Sequence, residues 1–278
     1  MATLPIIDFS EHASDTKFVD SMTNYGFAAF RNHPLDMDLV NRIYRDWAAF
    51  FASEDKFDFA LNRDTQDGYF SIQNAESAKG YAEQDFKEYY HYYPWGQCPA
   101  ALKSDLVSYY DAAHLFAATL LTWVEKCAPT HVSRRFSEPL PDMIQKSDVT
   151  LLRILHYPPI EGDSNVSRAA PHEDINLLTI LPAAEGPGLE ILGKDGNWIT
   201  VQPDPGTVMI NIGDMLQEAS GGHFPSTTHR VAVPNDEQRS QSRMSLPLFL
   251  HPRPEVVLSD RYTAGSYLNE RLNELGVV

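Results

Sequence analysis

At 278 residues, with 43% hydrophobic and 22% charged side chains, the chain has the make-up of an ordinary globular protein and enough length to bury a sizeable core. A net charge of −16 repels phosphate backbones and no basic stripe offsets it, so nucleic acid is not an expected partner; no run nears the roughly 18–20 apolar residues of a membrane helix. Cys98 and Cys127 form no disulfide framework and the start, MATLPIIDFSEH, carries no secretion signal, which together predict a cytoplasmic protein; the acidic charge makes small molecules its more natural substrates, and a monomer or weak homo-oligomer is expected, with the sequence itself leaving the oligomeric state open.

In chain order, LPIIDF (4–9) and GFAAFRN (26–32) read as strands, with a helix between them at the spacing of Phe18, Met22 and Tyr25. Asp36 is placed to cap a helix carrying Leu39, Ile43, Trp47 and Phe50 on one face. The aromatic run YYHYYPW (89–95) suits either a pocket wall or packing. The longest helix spans about 102–127, with Leu102, Leu106, Tyr109, Ala113, Phe116, Leu120, Trp123 and Cys127 on one stripe, and such a stripe is core. From about 148 the texture turns to short β runs cut by Pro and Gly: 149–157, 176–183, 188–193, 197–202, 206–213, 227–233 and 243–251, with turns at GKDGN and PDPG. Strands at this spacing predict a sandwich or barrel. A last helix, about 263–275, follows Thr263 as its cap.

The chemistry concentrates late in the chain. In PHEDINLLTIL, His172 and Asp174 lie two apart, and on a strand residues i and i+2 share a face. Alone the pair means little, since this composition supplies about one His-x-acid match by chance. His229, 57 residues on in STTHRVAV, completes a two-histidine, one-carboxylate set of the kind that holds Fe(II) on one side. Arg243 and Ser245 again share a strand face, and a guanidinium fork beside a hydroxyl suits capture of a carboxylate. Glu173 should face solvent; His156 and His251 read as satisfied structural histidines, and His223 sits by a Gly-Gly turn where its orientation is open. NIGD (211–214) and PDPG (203–206) read as turn chemistry with no catalytic role.

With these residues in view, the chain resembles the iron- and 2-oxoglutarate-dependent dioxygenases of the isopenicillin N synthase-like superfamily. The likeness rests on PHEDINLLTIL, GLEILGKDGNWITVQPDPGTVMINIGDMLQ, STTHRV and RMSLPLFLHPRP, and extends to LPIIDFS, GFAAFRNHPLD, DFKEYYHY and LLRILHYPP. Pro34 stands where the family usually has Gly, and Leu155 where many plant relatives have Asn. The resemblance implies a mainly β fold with peripheral helices. A double-stranded β-helix, or jelly roll, would form the core, joined by an N-terminal helical region and a long supporting helix. It would be one dioxygenase domain over 1–278: an N-terminal α/β region at 1–147, the jelly-roll core at 148–258 and a C-terminal helix at 259–278. It implies His172, Asp174 and His229 as iron ligands, and Arg243, Ser245 and Tyr157 as residues that hold the cosubstrate, 2-oxoglutarate. Arg239 lies at the more usual distance from His229, but only Arg243 has Ser two residues on and LFLHP following, so the loop PNDEQRSQS reads as enlarged. The implied reaction uses O₂ and 2-oxoglutarate, releases succinate and CO₂, and oxidises a small molecule, hydroxylation being its default outcome. Two other readings are a relative of the namesake that dispenses with 2-oxoglutarate and uses the same Arg, Ser and Tyr on its substrate, and a barrel that binds a ligand without turnover.

Overall fold

The computed structural model describes residues 4–74, 85–160, 168–183, 186–201, 204–232 and 239–276. Residues 234–238 of the enlarged loop and Pro203 of PDPG lie outside them. Two β-sheets and a shell of helices make up the described part. The larger sheet runs β1 (Ile6–Asp8), β2 (Phe27–Arg31), β10 (Val208–Ile212), β7 (Leu178–Pro182), β13 (Leu248–Leu250), β5 (Leu151–Tyr157), β4 (Glu88–Tyr92) and β3 (Gly68–Phe70), with β12 (Arg243–Ser245) also on β5. The smaller runs β6 (Ala169–His172), β11 (His229–Val231), β8 (Leu189–Leu192) and β9 (Trp198–Thr200). Pairing is antiparallel except between β1 and β2. Strands from the first third of the chain thus flank those of the second half in one sheet.

The helices form where apolar spacing and caps coincide. In α1 (Ser14–Tyr25) Phe18 and Met22 are fully buried, and Gly26 ends it in the left-handed region at φ 67°. The Asp36 carboxylate accepts from the amides of Asp38 and Leu39 at the head of α2 (Met37–Ala52), whose Leu39, Ile43, Trp47 and Phe50 are all buried. The long helix α3 (Ala100–Cys127) lies across the sheet, followed by the single turns α4 (Thr130–Ser133) and α5 (Leu140–Met143), then α6 (Asp214–Ala219). Thr263 and Ser266 cap α7 (Ala264–Glu274) reciprocally.

Strand alternation divides the core. Ala28, Phe30, Tyr90, Tyr92, Leu152, Ile154, Val208 and Ile210 pack with the helices in the main apolar cluster. Their alternates face the smaller sheet: Phe27, Ala29 and Met209 meet Ile191 and Ile199. Likewise Phe70, Tyr89, Leu155 and Tyr157 meet Ala169 and Val231. A period of two sends each neighbour to the opposite face, so one strand serves two cores. This resolves YYHYYPW, since Tyr89 turns toward the space between the sheets whereas Tyr90 and Tyr92 pack under the helices.

Two expectations change. The run 243–251 is two strands, because Leu246 and Pro247 interrupt it and Pro cannot donate to a ladder. The strand carrying His172 ends there, so Asp174 stands beyond it and not on the same strand.

Candidate metal and cosubstrate site

His172 and His229 face each other across the β6–β11 ladder as direct partners, with ring centroids 4.4 Å apart. Each ring is oriented by its own backbone: His172 Nδ1 lies 2.8 Å from the Ala170 carbonyl and His229 Nδ1 3.1 Å from the Thr227 carbonyl. With Nδ1 donating, the Nε2 lone pairs are left for a metal. The two Nε2 atoms lie 3.9 and 3.8 Å from Asp174 Oδ1. Asp174 reaches them although it has left the strand, because its carbonyl accepts from the Asp214 amide while its other oxygen, Oδ2, accepts from Thr179 Oγ1 at 2.6 Å and Asn211 Nδ2 at 2.8 Å. Glu173 is exposed and accepts from Thr228 Oγ1, as expected of a residue facing away.

These three residues are the group of His, Cys, Asp and Glu among the described residues whose ligand atoms gather within 4.8 Å, as a metal requires. Burial, then the neighbouring His229, pushes the His172 pKa down to about 4, so its imidazole is neutral at pH 7 and ready to ligate. Burial would raise Asp174, but the two histidines and its hydrogen bonds hold its carboxyl below the ordinary value. Two imidazole nitrogens and one carboxylate oxygen on one side match a facial Fe(II) set.

Thr179 and Asn211 were not foreseen. Asn211 belongs to β10, not to a turn, which corrects the reading of NIGD. Its signal was present: an amide inside the apolar strand VMINI is costly unless something bonds it. Thr179 also accepts from Asn176 Nδ2, so the carboxylate ends a buried chain of hydrogen bonds. Asp85 contributes at the other side. Its Oδ1 accepts from the Ala170 amide, and its Oδ2 pairs with buried Lys87 at 2.8 Å.

Arg243 opposes Tyr157 in the β12–β5 register, and Ser245 opposes Leu155, so all four share the inner face. The Arg243 guanidinium carbon lies 5.2 Å from the Tyr157 ring centre. Arg243 is buried at 4% exposure, and its Nε and Nη1 have no hydrogen-bond partner among the described residues. A buried guanidinium with unused donors fits a carboxylate that the protein itself does not supply. Arg239 is only partly buried, its carbonyl accepting from the Ile160 amide. His156 bonds Glu88 and Ser242, His251 Nδ1 bonds the Phe249 carbonyl, and His223 stacks edge-on to His131; none joins the metal group.

The glycine at 26 matters for this geometry. A Cβ there would lie 2.3 Å from Thr227 Oγ1 and 2.5 Å from the Pro225 carbonyl, in the segment whose Thr227 orients His229.

The comparisons agree with this picture. The 2OG-Fe(II) oxygenase superfamily model matches residues 149–252, and the model for the N-terminal region of a non-haem dioxygenase of morphine synthesis matches residues 4–106. A Shewanella oneidensis protein described as an oxygenase is 52% identical, each chain fully covered, with TM-score 0.91. A 2OG-Fe(II) oxygenase family protein of Caulobacter crescentus is 30% identical, with 99% of this chain and all of that one covered and TM-score 0.82. Gibberellin 2-beta-dioxygenase 4 of Arabidopsis thaliana is 27% identical over 90% of this chain and 79% of its own. The fold is the family's jelly roll, its cofactors are Fe(II) and 2-oxoglutarate, and no described helix is long and apolar enough to cross a membrane. The chain belongs to the Fe(II)- and 2-oxoglutarate-dependent oxygenases, and is an oxidoreductase of that superfamily.

Proposed function

We propose that this oxygenase hydroxylates a small organic molecule, with iron held by His172, Asp174 and His229 and 2-oxoglutarate held by Arg243, Ser245 and Tyr157. The observation that carries the reading is the buried Arg243 guanidinium, with two donating nitrogens unused, on the same inner face as Tyr157. Ferrous iron held by His172, Asp174 and His229, with 2-oxoglutarate held by Arg243, Ser245 and Tyr157, would supply the oxidising chemistry, with O₂ as oxidant and succinate and CO₂ as coproducts. The chain's own work is positional. His172 and His229 present Nε2 atoms, their Nδ1 atoms being engaged by backbone carbonyls, and Asp174 presents Oδ1 because Thr179 and Asn211 hold Oδ2. Arg243 and Ser245 take the distal carboxylate and so set which way the cosubstrate lies. Leu155 gives the cosubstrate an apolar wall where Asn would bond it, and packs with Tyr89 and Phe70.

We read residues 1–278 as one catalytic domain, cytoplasmic, monomeric or weakly self-associating, and without a nucleic-acid partner. The acidic charge supports the absence of a nucleic-acid partner, and the two free cysteines support a reducing compartment. The test is incubation of the Fe(II)-loaded protein with O₂ and labelled 2-oxoglutarate. Labelled succinate should appear, and should fall to background in His229→Ala together with iron binding. Iron-loaded protein that forms none across a panel of candidate substrates refutes the assignment.

A further inference from the structure

The strand that presents Arg243 and Ser245 is poorly secured by its own ladder. It is three residues long, and among the described residues it pairs with β5 alone. It also carries a desolvated guanidinium, which gains by swinging toward water whenever the cosubstrate is absent. Something must hold it in place.

The opposite face of the same sheet provides the hold. Ser242, immediately before Arg243, has its Oγ 2.9 Å from His156 Nε2. His156 Nδ1 lies 2.7 Å from Glu88 Oε1, and because a carboxylate only accepts, Nδ1–H donates to it and the ring turns Nε2 to the Ser242 hydroxyl. Glu88 is buried, directly opposite His156 in the β4–β5 register, and its Oε2 accepts from Tyr69 at 2.5 Å and Lys56 Nζ at 3.1 Å. The His156 ring is stacked on Phe51, centroids 5.4 Å apart. The imidazole is thus fixed in plane, tautomer and depth before it meets Ser242. Two further contacts hold the flanking chain: Arg168 Nη2 donates to the Gln241 carbonyl at 2.7 Å and Tyr109 Oη to the Leu246 carbonyl at 3.2 Å.

We propose that His156, anchored by Glu88, is a positioning residue for cosubstrate capture: through Ser242 it fixes the short strand that aims Arg243 and Ser245 between the sheets. The inference rests on the reading of Arg243 and Ser245 as the cosubstrate's carboxylate site. The order Ser, His, Glu also occurs in hydrolytic triads. Here the hydroxyl precedes a buried arginine on a three-residue strand, and the consequence is mechanical.

The test is anaerobic titration of 2-oxoglutarate into the ferrous holoenzyme, followed by the charge-transfer absorbance of the complex. It is joined to the KM for 2-oxoglutarate and to the rate of succinate formation. Ser242→Ala removes only the last link at an exposed position, and should weaken 2-oxoglutarate about fivefold, which is about 1 kcal/mol. Ser242→Thr keeps the hydroxyl and should restore affinity to within about twofold. His156→Phe keeps the stacking on Phe51 but loses both hydrogen bonds, and should cost about tenfold or more. In each, KM should rise while the maximal rate and iron affinity hold. Arg243→Met is the control and should lose about a hundredfold or more. If Arg243→Met weakens the cosubstrate while Ser242→Ala and His156→Phe bind it as the unmodified enzyme does, the positioning role is refuted. If Arg243→Met itself binds normally, the cosubstrate site is misassigned.

Discussion

Thr179→Val removes one hydroxyl and almost no volume, and it tests how Asp174 is made a ligand. The carboxylate's Oδ2 accepts two hydrogen bonds, at 2.6 Å from Thr179 and 2.8 Å from Asn211, leaving Oδ1 directed at the two histidines. A hydrogen bond to a charged group contributes about 1.5–3 kcal/mol, and with the Asn211 bond left to compensate the net loss should lie near the lower end. About 1.4 kcal/mol is tenfold in affinity, so the variant should bind Fe(II), or Mn(II) as an air-stable probe, about tenfold more weakly. The metal-free variant should also lose about 1 kcal/mol of stability, because Asn176 Nδ2 loses its Thr179 acceptor. Its other contact, to the Leu178 carbonyl, remains. The assay is calorimetric titration of metal into the metal-free protein, beside Thr179→Ser, which keeps the hydroxyl and should bind close to normally. Unchanged metal affinity in Thr179→Val, with Asp174→Ala abolishing binding, refutes the claim that this hydrogen bond prepares the ligand.

Three other outcomes are expected. Arg243→Met should leave the metal-free protein at least as stable as before, because an unsatisfied buried charge is gone, yet abolish the rise in Tm that 2-oxoglutarate causes in the iron-loaded enzyme; a retained rise counts against the site. Gly213→Ala should cost about 1–3 kcal/mol in denaturant unfolding, since the added carbon would stand 2.2 Å from the Asn176 carbonyl and 2.3 Å from its Oδ1; an unchanged midpoint contradicts the packing. His251 is buried and held at about 4, against an ordinary value near 6.5. The unfolded chain therefore binds its proton between these values and the folded one does not, so stability falls as pH drops from about 6.5 to 4 and is level above. His172 acts in the same direction, so His251→Asn should make the acid-side fall in Tm of metal-free protein shallower without removing it, and an identical slope would disprove the linkage.

Most of the sheet could be read from short β-rich runs between Pro and Gly turns, and two strands could not, each for its own reason. The strand Glu88–Tyr92 is buried on both faces, so EYYHY shows no polar–apolar alternation and hides a strand inside an aromatic run. The three residues of Gly68–Phe70 are too few to carry any period. At the site, the gathering of His172, Asp174 and His229 was legible because residues able to ligate a metal are few in kind, although the strand that suggested the pairing ends at His172. Thr179 and Asn211 were not, because a threonine in a strand is ordinary and an asparagine before Ile-Gly looks like a turn. What betrays such residues is burial without an obvious partner, which becomes visible only once the fold is known. The exit of Asp174 from its strand shows the same limit: the convergence was foreseen, but the Thr179 and Asn211 bonds that produce it join residues up to 37 positions apart.

The mixed origin of the larger sheet bears on how the protein matures. Phe27 packs edge-on against His229 at 5.3 Å, β2 pairs with the strand that carries Asn211, and the strand of Arg243 pairs with β5. No early fragment of the nascent chain therefore holds the finished His172, Asp174 and His229 cluster, because Phe27 is synthesised first and the cluster and Arg243 follow about 150 to 220 residues later. The cluster of His172, Asp174 and His229 is consequently completed late in synthesis, once β11 has been made and has paired with β6.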